Sequence, residues 1–313
     1  MKEINRRKFV KNVTGAALGA AVFPVSLAGK TKGELPKRTL GRTGLQVTLL
    51  SIGGFHAGAP NVSEDEAIQI IRIAIDEGVN FLDNAWSYHK GRSEELMGRA
   101  LKDGFRQKVT LMTKIMARTL EDAKIQLETS LKRFDLDSVD LLQFHAIGGK
   151  DDDVDRIYYD GLIQWAEDQR SQGIIKYIGF TGHHDPRAHI EMIKRGYPWD
   201  TVQMPLNIGD YHREVSYQKD VLPLALENNI GVIGMKSNGM GRLGKSGIAT
   251  PVEGLHYAMS LPVSTVVSGI DSLEILHENI GFAKGFIPMT SRQKEEIEGR
   301  SKGKSDIIEH YLK

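Results

Sequence analysis

The sequence predicts an α/β protein built as a closed parallel (β/α)8 barrel, and three observations carry that prediction. Eight short β-rich or apolar runs recur at intervals of about thirty residues, the cadence of repeated strand–helix units. Amphipathic segments with recognisable ends lie between them. The first run leads into Ile52-Gly53-Gly54-Phe55-His56, which does not complete the G-x-G-x-x-G turn that an open doubly wound sheet more naturally carries.

The elements follow in chain order. Residues 1–28 read as an address: Asn5-Arg6-Arg7-Lys8-Phe9-Val10-Lys11 precedes an uncharged, Gly- and Ala-rich stretch from Val13 to Ala28. An Arg pair before a mildly apolar run resembles a twin-arginine (Tat) export signal, with cleavage before Gly29. The stretch falls short of the roughly 20 apolar residues that span a bilayer, so no stable membrane anchor is expected. Residues 29–35 read as a linker and 36–313 as the barrel with a C-terminal helical tail. The eight runs are Val47–Gly53, Val79–Leu82, Val109–Thr113, Val139–His145, Lys176–Thr181, Thr201–Met204, Gly231–Lys236 and Ser264–Gly269. Ser63-Glu64-Asp65-Glu66 has the form of a capping box ahead of Ile68, Ile71 and Ile75. Thr119 and Asp122 open a helix carrying Ile125, Leu127 and Leu131, and Asp185-Pro186 opens another. Trp165 and Trp199 read as helix packing.

Composition bounds the function. The chain has 313 residues, 40% hydrophobic and 26% charged, enough to bury a large core. Of 41 Lys+Arg and 40 Asp+Glu, five bases and one acid fall in residues 1–28, leaving 36 against 39, a net of −3. That balance argues against nucleic acid as the main partner. With no cysteine, disulfides, thiolate metal sites and iron–sulfur clusters are excluded.

A barrel presents its active site at the carboxyl ends of its strands, so the residues ending each run carry the functional argument. They are Gly53-Gly54, Asp83, Lys114, His145, Thr181-Gly182, Gln203, Lys236-Ser237-Asn238 and Gly269-Ile270-Asp271. Taken singly, Asp83 reads equally as a helix cap, Lys114 as a solvated end and His145 as a core histidine. Taken together, three consecutive ionisable ends converge on one mouth. Tyr88 follows Asp83 closely enough to fold over it. Asp83, Tyr88, Lys114 and His145 then make an apparatus for protonating a carbonyl oxygen as hydride reaches its carbon. A free tyrosine titrates near pH ~10, too high for acid catalysis at neutrality unless its phenolate is stabilised. Lys114 supplies that stabilisation, Asp83 holds the ammonium, and His145 orients the substrate oxygen.

Over residues 36–290 the sequence resembles the aldo-keto reductases. Leu40-Gly41-Arg42-Thr43-Gly44-Leu45 is similar to that family's opening hairpin. Gly78-Val79-Asn80-Phe81-Leu82-Asp83-Asn84-Ala85-Trp86-Ser87-Tyr88 with Ser93-Glu94 is similar to its signature, and Val139 to His145 to its catalytic-histidine strand. The resemblance implies a TIM barrel of aldo-keto reductase type, the four catalytic roles on Asp83, Tyr88, Lys114 and His145, and a nicotinamide nucleotide held without a Rossmann domain. It also implies a nucleotide bordered by Gly53, Gly54, Phe55 and Asp83, with Gln203 at the carboxamide. The family's Ser-Asn pair is replaced here by Thr181-Gly182, with His183 a candidate substitute. Met235 stands where many members stack an aromatic ring. Lys236, Ser237, Asn238, Gly241 and Leu243 fall on the pyrophosphate segment. Gly269, Asp271, Ser272, Glu278 and Asn279 fall around the adenosine ribose. Counting back from Glu278-Asn279 places Gly269 and Ile275 where NADP-using members carry a Lys and an Arg, so NAD(H) is favoured over NADP(H), although Lys236 or Arg242 offers an alternative phosphate contact.

Phe55, His56, Trp86, Tyr88 and His145 are the expected substrate wall, for a small-molecule carbonyl or alcohol that can be a sugar. No metal is expected: Asp151-Asp152-Asp153 reads as a solvated loop, and in His183-His184-Asp185 the acid is a helix cap. A glycoside hydrolase needs two opposed carboxylates, and only Asp83 ends a strand suitably. The competing class is a nucleotide-binding sensor or accessory subunit of the same fold with negligible turnover. A Tat-exported, periplasmic enzyme would meet little free nucleotide, so a cofactor loaded before export, retained and internally recycled is expected.

Overall fold

The structure is a computed structural model and describes residues 33–304, 306, 307 and 309. The export signal and most of the linker lie outside the described residues. A hairpin of β1 (Lys37–Thr39) and β2 (Gln46–Thr48) precedes eight parallel strands: β3 (Leu50–Gly53), β4 (Phe81–Asp83), β5 (Thr110–Ile115), β6 (Leu141–Phe144), β7 (Tyr177–Thr181), β8 (Thr201–Pro205), β9 (Gly231–Met235) and β10 (Thr265–Gly269). They pair in chain order, and β10 closes on β3 with Gly269 opposite Gly53. The (β/α)8 TIM barrel is thus the fold.

Barrel closure follows from side-chain chemistry. Phe81, Met112, Leu141, Ile233 and Val267 fill the interior with Leu40 and Val47 from the hairpin, which stoppers the amino end. The fit is close: a Cβ on Gly41 would stand 2.1 Å from the Gly231 nitrogen. Outside the strands, helix stripes such as Ala67, Ile70, Ile71, Ala74 and Ile75 cover the sheet.

Several boundaries differ from expectation. The run Val47–Gly53 is two strands, because Leu49 turns from hairpin to barrel, donating its N–H to Pro36 and accepting from Val266. Gln203 is internal to β8, which continues to Pro205, so this side chain sits lower in the mouth than a strand end. Ser63 caps its helix through the Glu66 N–H, but the reciprocal half of the box is not formed. Thr250 with Glu253 and Thr290 with Gln293 form complete boxes instead. Ile125 faces outward at 52% exposure, since the buried stripe of its helix runs through Ala123, Leu127, Ser130 and Phe134. Trp165 and Trp199 are buried as expected, with Trp199 Nε1 donating to Met192 O at 3.0 Å. Among the described residues no helix is long and apolar enough to cross a membrane.

Candidate active site

The three ionisable strand ends meet at the carboxyl face. Lys114, on β5 and 1% exposed, uses all three ammonium protons: on Asp83 Oδ1, on Asn84 O at 2.8 Å, and on Tyr88 Oη at 3.1 Å. Asp83 accepts on its other oxygen from Gln203 Nε2 at 3.2 Å. His145, one residue past β6, packs edge-on to Tyr88 with ring centroids 5.8 Å apart.

The charges set the protonation states. Burial works against the Lys114 ammonium, but Asp83 and Tyr88 outweigh it and raise its pKa. Burial pushes the Tyr88 phenol up, and Lys114 offsets only part of that rise. The expectation that Lys114 brings a ready phenolate toward neutrality is therefore corrected: the buried phenol keeps its proton, and Lys114 makes its loss less costly than burial alone would. Burial, then Lys114 and His183, hold His145 well below the ordinary imidazole value, so it is neutral.

The loop from Trp86 to Gly91 places Tyr88. His89, Lys90 and Gly91 are successive left-handed residues with φ of 49°, 57° and 102°. Such backbone persists only where its surroundings hold it. Arg133 Nη1 donates to Trp86 O at 2.8 Å and Glu94 Oε2 at 3.0 Å, while Glu94 Oε1 accepts from Thr113 Oγ1 at 2.7 Å. Arg133 was not legible as a site residue, since a basic side chain near a helix end reads as solvated. Phe55, 43% exposed, stands edge-on to Tyr88, and its carbonyl accepts from His89 Nε2 at 2.6 Å. Trp86 lies beneath Arg133, 5.8 Å from ring centroid to guanidinium. With His56 these rings border the mouth.

Of the residues assigned to a nucleotide, Phe55 and Asp83 adjoin Tyr88 and Lys114, and those from Thr181 to Leu243 follow round the mouth from β7 to the segment after β9. Gln203 Oε1 is buried without a partner and suits a carboxamide N–H; Asn238 Oδ1 is likewise orphaned. Thr181 is buried beside Gly182, where a Cβ would stand 2.4 Å from Ile147 O, so the family's Asn has no room. Lys236, Gly239, Met240 and Gly241 adopt positive φ, turning a run of backbone after Met235 toward the mouth. Burial and the Lys114 charge bring Lys236 down to about 8. These groups fit a nicotinamide nucleotide. Ser237 is buried there, and Leu243 is fully buried with its N–H already given to Asn238 O, so its part is packing.

Other assigned positions carry structural duties. A Cβ on Gly54 would meet Asn84 Nδ2 at 2.8 Å, and one on Gly53 would meet Val267 at 3.0 Å. Ser272 caps the helix Leu273–Lys284 through the Ile275 N–H, and Asn279 Nδ2 donates to Ser268 Oγ at 3.1 Å. Glu278 is exposed and Asp271 half-buried. The solvated-loop reading of Asp151-Asp152-Asp153 is corrected at Asp153, which is 4% exposed and pairs with Arg118 at 2.9 Å because the loop folds back over the end of β5. Asp185 caps its helix through the Arg187 N–H. Among the described residues no group of three or more His, Asp or Glu is arranged for a metal. A cavity of about 460 Å³ lined by Arg106, Asp140 and Lys176 lies at the amino end of the barrel, and both cations pair there with Asp140.

The aldo/keto reductase family pattern matches residues 49–253. "Uncharacterized oxidoreductase YrpG" of Bacillus subtilis is 32% identical over 232 residues, 66% of this chain and 67% of its own. The L-galactose dehydrogenase of Arabidopsis thaliana is 30% identical over 227 residues, 69% of either chain. In fold, the holo form of aldo-keto reductase AKR11C1 from Bacillus halodurans is similar at a TM-score of 0.74, covering 90% of this chain and 100% of its own at 24% identity. The chain belongs to the aldo/keto reductase family, and is an oxidoreductase that works on carbonyl and alcohol groups with a nicotinamide nucleotide.

Proposed function

We propose that this chain is an exported aldo-keto reductase acting on a polar carbonyl or alcohol of the sugar class, with NAD(H) preferred and retained through many turnovers. The contact that carries the catalytic assignment is Tyr88 Oη on Lys114 Nζ at 3.1 Å, with Asp83 behind the ammonium and His145 beside the phenol. The bound nicotinamide supplies or takes the hydride. In reduction, Tyr88 gives its proton to the substrate oxygen, Lys114 stabilises the phenolate left behind, and Asp83 balances the ammonium. The neutral His145 imidazole donates an N–H to the same oxygen.

Support for NAD(H) comes from Gly269, which carries no basic side chain and where a Cβ would stand 2.5 Å from the His56 ring, and from the acid at Asp271. The sugar reading is supported by the relative named L-galactose dehydrogenase and by the mixed aromatic and polar mouth. Export rests on Arg6-Arg7 and the uncharged run after them. Retention is argued from scarcity of nucleotide outside the inner membrane: each ~1.4 kcal/mol of added affinity slows loss about tenfold at constant association.

The test is to purify the protein from periplasm, dialyse it, and follow the reduced-nicotinamide absorbance on adding L-galactose and then 4-nitrobenzaldehyde. The expected result is bound NAD(H) that is reduced by the sugar and reoxidised by the aldehyde. Protein that arrives empty and works only with stoichiometric added nucleotide overturns retention. NADPH binding about tenfold tighter than NADH overturns the cofactor preference. Cytoplasmic retention of the full chain overturns export, and no response to L-galactose removes it as the sugar.

A further inference from the structure

His145 has an unusual support. Its Nδ1 is buried and has no hydrogen-bond partner, so no carboxylate or carbonyl on that nitrogen sets the plane of the ring. Its place must then come from its main chain. The next residue, Ala146, is left-handed at φ 55°, so the chain turns sharply as it leaves the histidine.

One side chain holds that turn. Arg118 Nη2 donates to His145 O at 2.7 Å, while Nη1 donates to Met116 O at 3.2 Å and Ala117 O at 3.0 Å. On the opposite edge, Gln126 Oε1 accepts the Met116 N–H at 2.7 Å and the Ala117 N–H at 3.1 Å. The chain leaving the lysine-bearing strand is therefore held from both sides and tied to the chain leaving the histidine-bearing strand. Arg118 Nε is anchored on Asp153 Oδ1 at 2.9 Å, and Asp153 Oδ2 accepts the Lys150 N–H at 2.9 Å. The two side chains are 11% and 5% exposed, so the pair is fixed in a dry place. A planar fork with five donors can satisfy these diverging acceptors; an ammonium cannot reproduce that geometry.

We propose that Arg118 is the positioning residue for His145: its guanidinium, anchored by Asp153, sets where the imidazole stands at the mouth in place of a side-chain partner on Nδ1. The inference rests on the reading of His145 as the group that orients the substrate oxygen. Arg118 also places a positive charge near the imidazole, together with Lys114 on β5, His183 after β7 and Lys236 after β9, and all four disfavour a second ring proton.

The test uses Arg118→Lys, Arg118→Met and Asp153→Asn in the full chain, with NADH and 4-nitrobenzaldehyde as probes and the His145 ring signal followed by ¹H–¹³C NMR. Arg118→Lys and Asp153→Asn are expected to lower kcat about tenfold to a hundredfold, the cost of a displaced positioning group, with nucleotide Kd unchanged. Arg118→Met is expected to raise the pH at which the His145 ring titrates, whereas Arg118→Lys, which keeps the charge, moves the ring signal without that rise. The signals of His189 and His256 report whether the barrel stays folded; should Arg118→Met unfold it, the other two variants decide. Turnover within about twofold of the parent in Arg118→Lys and Asp153→Asn overturns the inference. If the parent does not reduce the aldehyde, that probe fails the functional reading, and the NMR arm alone decides this one: a His145 signal unmoved in the folded variants overturns it.

Discussion

At the residue scale, the site depends on two groups held in their less charged forms. Tyr88 keeps its proton because burial outweighs Lys114, and His145 stays neutral because burial and cationic neighbours act together. Tyr88→Phe removes the phenol proton that stands beside Lys114 at the mouth, so turnover is expected to fall by about 10²–10⁴-fold while nucleotide binding holds, as read by steady-state rates and fluorescence titration. Near-parental turnover would remove Tyr88 from its role. The pKa directions also set the pH dependence. On the proposed roles, reduction uses the phenol and a neutral imidazole, both present at neutrality, so its rate is expected to stay level from pH ~7.5 down past the ordinary imidazole value of ~6.5. Alcohol oxidation needs the phenolate, whose pKa is raised, so its rate is expected to climb through pH ~9 without reaching a plateau. A reductive limb that bends at the ordinary imidazole value would contradict a neutral His145.

At the scale of elements, the mouth loop is a strained piece of backbone held by a buried ion pair. A side chain at Gly91 would be strained by its φ of 102° and would push aside the Arg133 guanidinium, which a Cβ there would approach to 2.3 Å. Glu94, whose carboxyl is pushed up by burial and partly brought back by Thr113, Ser130 and Arg133, anchors that guanidinium. Glu94→Ala leaves Arg133 under the loop without its counter-charge. Breaking one partner of a buried pair costs roughly 3–5 kcal/mol, and that loss is expected in urea unfolding of the variant, together with lower kcat from a loosened Tyr88. Unchanged stability would mean that the loop is held some other way.

For the whole molecule, stability is linked to acid through a histidine outside the mouth. His189 is fully buried, 5.6 Å from Phe180 and 4.9 Å from Tyr217 between ring centroids, and burial brings its pKa down to about 4. Between pH ~6.5 and the folded value the unfolded chain binds a proton that the folded chain refuses, so stability is full above ~6.5 and is lost as pH falls through that window. The loss is on the order of 3 kcal/mol, with His145 acting in the same direction. His189→Gln, which cannot titrate, is expected to flatten the drop in unfolding free energy between pH 7 and 4.5. An equally steep drop in the variant would assign the acid sensitivity elsewhere.

The sequence by itself determined the barrel, because parallel strands covered on both faces are apolar runs with a regular spacing, and that signal is local. It also singled out Asp83, Lys114 and His145 as candidates, since each stands where an apolar run stops. What only the tertiary structure decided was how distant segments meet. Asp83 and Gln203 are 120 residues apart, and their contact exists because the strands close around a circle. Nothing in the chain around Arg118 or Arg133 marks the partners they meet once the loops fold over them, and Asp153 reads as a loop acid until Arg118 buries it. The rise of the Tyr88 pKa was equally hidden: neighbour identity is written in the chain, but desolvation, the larger effect here, depends on how completely the packed barrel shuts out water.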